Sequence, residues 1–156
     1  MQIYPGCNVT LKGLTISGFT EKGFVGGASG GFDGAGGSSA GLGGAIFNQG
    51  KLTILDSTLT GNTAQGGAGG AQADGGAGWG GGLFAGAGGS ALLQQTTVTA
   101  NTAMGGLPGA GGSAGDGVGG GLYIATGASV FLKKTKVKGN VASTSNDNIY
   151  GIVISV

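Results

Sequence analysis

Side chains able to do chemistry are scarce in this sequence, so their spacing matters more than their number. The acids are Glu21, Asp33, Asp56, Asp74, Asp116 and Asp147, the cations are seven lysines, and arginine and histidine are both missing. Glycoside hydrolysis needs two carboxyl groups facing one groove, and lyase chemistry needs a base with cationic or calcium support. No two of these acids occupy matching positions on neighbouring strands, and three fall inside glycine-rich stretches. The sequence therefore predicts no catalytic residue, no enzyme activity and no cofactor. Gly111-Gly112-Ser113-Ala114-Gly115-Asp116 misses the calcium-binding Gly-Gly-x-Gly-x-Asp pattern by one position. A hard cation wants several oxygen ligands, so one aspartate per stretch leaves no metal site.

What does recur is hydroxyl, aromatic and amide chemistry. Thr15, Thr58 and Thr97 form one row and Ser17, Thr60 and Thr99 a second, with Lys136 and Lys138 in the fourth rung. Regular hydroxyl rows suit ordered water or sugar. Tyr4, Phe47, Phe84, Tyr123 and Tyr150 each follow an aliphatic residue and form an aromatic row, which suits packing or ligand stacking. Lys133, Lys134, Lys136 and Lys138 make the one dense charge cluster, suited to blunting a sheet edge or to meeting an acidic glycan. Asn62, Asn101 and Asn140 recur in a turn, where asparagine tolerates left-handed geometry and bonds nearby backbone.

These rows exist because the chain repeats. Leu59, Asn62, Trp79 and Leu83 fall on Val98, Asn101, Val118 and Leu122 after 39 positions, and Val98 and Asn101 fall on Val137 and Asn140 after 39 more. Upstream, Ile3, Tyr4, Val9, Leu11, Ile16 and Phe19 fall on Ile46, Phe47, Leu52, Ile54, Leu59 and Asn62 after 43. A period in this range signals stacked units that cannot bury their apolar face alone. Within each unit Leu52 and Ile54 alternate with Thr53 and Leu55, as a half-buried strand does. The unit cores are 3–20, 46–64, 83–103 and 122–142, with a partial fifth coil at 149–156, all in a single domain.

Between cores lie glycine-rich arms, 23–44, 66–82 and 105–121. Glycine supplies 42 of the 156 residues, yet 39% of the chain is apolar and only 8% charged, which favours a folded protein over a linker. In the arms glycine recurs every third residue, the period of the polyproline-II helix. Because glycine keeps its N–H, such helices can pack side by side as polyglycine II. The repeat step changes from 43 at Leu59 to 37 at Leu83, a difference of six residues or two whole triplets. Gln72-Ala73-Asp74 interrupts the pattern where a hairpin tip would fall.

Net charge is +1, which removes the electrostatic case for nucleic acid. No apolar run approaches the ~20 residues of a membrane span, so no membrane insertion is expected. Cys7 is the single cysteine and forms no internal disulfide.

Gly43-Gly44-Ala45-Ile46-Phe47-Asn48 and Ser57-Thr58-Leu59-Thr60-Gly61-Asn62 resemble the repeats of polymorphic outer-membrane proteins and related bacterial surface adhesins. The resemblance spans all the cores and implies a right-handed parallel β-helix at an extracellular or cell-surface location. In composition the arms are similar to the polyglycine sandwiches of phage tail-tip adhesins. The expectation is an all-β protein: a right-handed parallel β-helix of four-plus coils with a flanking layer of polyglycine-II arms. Its expected function is a structural or adhesive scaffold that partners itself, end to end as a filament or laterally, or the rest of a longer β-helix. The alternative is an ice- or glycan-binding module on the hydroxyl face.

Overall fold

The computed structural model describes residues 1–27 and 38–156, and among these residues it is a parallel β-solenoid without helices. Five parallel sheets run along its axis. The leading sheet holds Gln2–Ile3, Ile46–Asn48, Leu83–Ala85, Leu122–Ile124 and Ile149–Tyr150. The long sheet holds Asn8–Lys12, Lys51–Leu55, Ser90–Gln94, Ser129–Lys133 and Val153–Ser155. The threonine sheet holds Thr15–Ser17, Thr58–Thr60, Thr97–Thr99 and Lys136–Val137. The exit sheet holds Thr20–Lys22, Thr63–Gln65, Thr102–Met104 and Val141–Ala142. A return sheet of Gly41–Leu42, Gly78–Trp79 and Gly117–Val118 brings each arm back. Four rungs are thus joined by three full turns, fewer than the four-plus full coils expected. The last return, from Leu122 to its partner Ile149, is short and carries no arm.

The strands are two to five residues long and hold only because equivalent side chains stack. Leu52 lies between Val9 and Ala91, and Leu59 between Ile16 and Val98, with Val137 beyond Val98 in the same row. Ile46, Leu52, Ile54, Leu59, Leu83, Leu93, Val98, Leu122 and Val130 are fully enclosed. Each contributes about 1.5–3 kcal/mol of hydrophobic stabilisation. Corners between strands need left-handed backbone, and the residue there is Gly13, Asp56, Gln95 or Lys134 at one corner and Gly18, Gly61, Ala100 or Gly139 at the next.

The first strand does not sit where a constant step of 43 would put it. Ile3 pairs with Asn48 and Gln2 with Phe47, so Tyr4 falls outside the aromatic row. The cause is the following corner. In the first, third and fourth rungs four residues close it through a turn (Cys7 N–H to Tyr4 O, Gly89 N–H to Gly86 O, Ala128 N–H to Ala125 O). The second rung uses only Gln49 and Gly50. There the buried Asn48 side chain replaces the missing backbone, accepting from Gly50 N–H and donating to Ser90 O.

The described parts of the arms contain the return-sheet strands as well as irregular chain, residues 28–37 of the first arm lying outside the described residues. Gly66, Gly69, Gln72, Gly75 and Gly78 donate N–H bonds to Met104, Leu107, Ala110, Ser113 and Asp116, one bond every third residue. Gly23 and Gly26 bond Gln65 and Ala68 in the same way. Outgoing and returning legs are also joined, by Gly76 N–H to Gly67 O and Gly115 N–H to Gly106 O. A Cβ on Gly106 would run into the carbonyl oxygen of Gly67, and one on Gly115 into that of Gly76. The hairpin tips are turns closed by Ala73 N–H to Gly70 O and Gly112 N–H to Gly109 O, with Gln72 and Gly111 left-handed.

Candidate binding and assembly surfaces

The threonine sheet keeps Ile16, Leu59 and Val98 inward, so their neighbours must point out. Thr15, Thr58 and Thr97 are aligned, as are Ser17, Thr60 and Thr99, and Lys136 continues the first row. Lys136 and Lys138 are both exposed. The structure adds a column that the sequence reading missed: Thr20, Thr63 and Thr102 on the adjoining exit sheet. Its signal was the same 39-residue step, visible in the repeated Asn-Thr-Ala at 62–64 and 101–103. The nine hydroxyl groups form three rows of three, and none bonds another described residue.

A second hydroxyl row is structural. Thr96 Oγ1 donates to Gln94 O and Ile54 O, Thr135 Oγ1 to Leu93 O, and Ser57 Oγ to Leu55 O. These hydroxyls occupy a corner and satisfy its backbone, so they offer nothing to a ligand. The asparagine row behaves likewise. Asn62 Nδ2 donates to Asn101 Oδ1 at 2.9 Å, and Asn101 Nδ2 to Asn140 Oδ1 at 2.9 Å. Asn148 closes the series by accepting from Asn140 Nδ2 at 3.1 Å. Among the described residues no buried side-chain polar atom lacks a partner.

The aromatic row is a stack. Phe47, Phe84, Tyr123 and Tyr150 follow one another at centroid spacings of 5.3, 5.0 and 4.6 Å. Trp79 of the return sheet lies beside it, 5.0 Å from Tyr123 and 6.3 Å from Phe84. Phe84 is only 6% exposed, so the centre of the row has no open face for a ligand. Burial, then the Tyr150 phenol beside it, push the Tyr123 hydroxyl above its ordinary pKa. Tyr4 is 59% exposed and apart from the stack.

Asp74 Oδ1 accepts the Ser113 N–H at 2.6 Å and Asp147 Oδ1 the Ala142 N–H at 2.9 Å, which makes both of them turn residues. Asp33 lies outside the described residues. Among the described residues no three of His, Cys, Asp or Glu cluster as a metal site would require. Cys7 is exposed at the first corner.

The chain matches no known protein family, no curated protein and no solved structure.

Proposed function

We propose that this protein is a non-catalytic scaffold of an extracellular or cell-surface structure, in which the solenoid holds a rigid, adhesive layer of polyglycine-II arms. The observation that carries this reading is the run of inter-arm hydrogen bonds from Gly66, Gly69, Gln72, Gly75 and Gly78, one per triplet. Such a run has the period of three residues per turn. Its four glycine donors, Gly66, Gly69, Gly75 and Gly78, leave no room for a side chain, because the carbonyl oxygens of Gly76, Ala73, Gly106 and Met104 stand where a Cβ would be. Amide exchange tests the rigidity: the Gly69 and Gly75 amides exchange slowly if the arms are ordered, and free-peptide rates reject the reading. Bacteria displaying the chain on a heterologous anchor acquire adhesion to one another or to glass, and Gly106→Val removes it. No gain of adhesion by the unmutated chain rejects the adhesive role.

A second reading is favoured by the extra column Thr20/Thr63/Thr102, which enlarges the hydroxyl face from six groups to nine. Unbonded hydroxyls at strand spacing, about 4.8 Å between rungs, suit ordered water or a glycan. Thermal hysteresis or glycan retention that is lost in Thr60→Lys supports it. Neither activity in the unmutated chain rejects it.

A further inference from the structure

We propose that the lysine stripe of the fourth rung binds an acidic polysaccharide, whose anionic groups lie along Lys133, Lys134, Lys136 and Lys138. The proposal takes from the second reading above only that the neighbouring hydroxyls are free to meet sugar. The charged contacts stand apart from that reading.

Charge on this chain is segregated. Four of the seven lysines lie within six residues, and the other three stand against six acids, a balance of −3 outside the stripe. No acid occurs between Asp74 and Asp116 or between Asp116 and Asp147, so the third and fourth rungs of the long and threonine sheets carry none. The acid that shares a corner column with Lys134 is Asp56, two rungs or about 10 Å away.

The fold does not ask for these charges. Lys133 pairs with Gln94 and Lys136 with Thr97, while Gln95 and Thr99 hold the places of Lys134 and Lys138 one rung earlier. In the second rung the same four places are Leu55, Asp56, Thr58 and Thr60. Blunting of a sheet edge does not account for Lys133 either, because Val153–Ser155 already pairs beyond its strand.

Backbone bonds hold the stripe in place: Gln95 N–H to Lys133 O, Lys136 N–H to Thr96 O and Lys138 N–H to Val98 O. Leu132 and Val137 pack against the core, so strand alternation turns Lys133, Lys136 and Lys138 outward. All four lysines are exposed. At about 3.3 Å per residue the stripe runs up to ~16 Å from Lys133 to Lys138, too far for one small anion to touch both ends. It is a single rung high, and the row beside it is Thr97 and Thr99. That favours a slender polymer bearing both anions and hydroxyl groups. A nucleic-acid duplex or an anionic bilayer is broad enough to meet the negative remainder as well, within the ~8 Å reach of charge at physiological salt. For a single nucleic-acid strand, no aromatic residue lies between Lys133 and Lys138 to stack a base.

Retention of the full chain on immobilised polygalacturonate, compared with neutral dextran, tests this. The chain is held by polygalacturonate until salt is added and passes through dextran. Lys133→Gln, Lys134→Gln, Lys136→Thr and Lys138→Thr together copy the third rung; retention is lost while circular dichroism is unchanged. The pair Lys136→Thr and Lys138→Thr alone elutes at lower salt, and it decides the matter if the fourfold variant fails to fold. Lys12→Gln, Lys22→Gln and Lys51→Gln together remove three charges from elsewhere and leave retention intact, as does Thr60→Lys. No retention, or retention that survives the fourfold change or is unmoved in the pair, overturns the proposal. So does loss in the threefold control, or tighter binding to polyuridylate or to phosphatidylserine vesicles. Equal retention on dextran that Thr60→Lys abolishes overturns it too, and leaves the hydroxyl-face reading standing.

Discussion

The coils and the arms are both stacked at the same repeat, yet they are held by opposite means. In the coils each rung fills the one below with side chains: Leu59 on Val98, Asn62 on Asn101, Phe84 on Tyr123. In the arms the neighbours meet chiefly through backbone, with Asp74 accepting from the Ser113 N–H near the tip, and what specifies the contact is that nothing projects from Gly106 towards Gly67. Coils tolerate exchange among residues of similar size. Between the arms there is no room for a side chain at Gly67, Gly76, Gly106 or Gly115, whereas Ala68 is replaced by Leu107 one repeat later. A solenoid can therefore carry a layer with almost no apolar core of its own, provided that the coils bring the legs together first.

The sharpest way to break that division is to damage the coils and see whether the arms survive. Val98→Asp places an unpaired charge in a fully enclosed site and costs about 3–5 kcal/mol. Circular dichroism should show loss of the whole fold, with the arms unable to persist; retained exchange protection in the arms would make them autonomous. The converse change, Gly106→Val, overpacks the arm interior and costs roughly 1–3 kcal/mol. Its expected signature is local, with faster proteolysis between residues 66 and 117 while the coil melting transition remains.

Smaller changes sharpen the picture. Tyr123 is held above its ordinary pKa by burial first and by Tyr150 second. In the folded state it keeps its proton at pH values where the unfolded chain has lost it. Its contribution is intact below the unfolded pKa, about 10, and is lost as pH rises through the folded value. Tyr123→Phe should flatten the decline of melting temperature above pH 10 and leave neutral pH almost unchanged. Least of all, Ala100 has φ 53° at a corner where Gly18, Gly61 and Gly139 do the same job. Ala100→Gly relieves about 1–2 kcal/mol of left-handed strain. Against this, glycine's extra chain entropy takes back roughly 0.5–1 kcal/mol. A rise of a few degrees in melting temperature is the expected result.

Much of the coil was legible because the 39-residue step acts on residues with distinct side chains. The rows through Leu59, Thr58, Asn62 and Phe84 all follow from it. Legibility failed where length changed without a marker. The second corner is two residues shorter than the others, so a constant step slid Tyr4 onto Phe47 when Gln2 belongs there. Asn148 was missed as the end of the asparagine row because it follows Asn140 by eight residues instead of a full period. The return-sheet strands fall inside the glycine-rich arms and carry no signal of their own in the sequence. They are two residues long and glycine-flanked, too short for alternation to register. Among the surfaces, the two threonine columns on one sheet were readable. The third, across a corner, needed the fold to show that it adjoins them.

The short glycine contacts between the legs also shape how stability varies with temperature. Unfolding the coils exposes apolar side chains and raises the heat capacity, whereas unfolding the arms exposes mainly peptide groups and lowers it. The protein as a whole should therefore show a heat-capacity increment per residue below the usual ~12–15 cal/mol/K. Its stability curve is correspondingly broad and shallow. Cooling weakens it less than it weakens a domain held by apolar packing alone, and the loss on heating starts with the entropy regained by glycine.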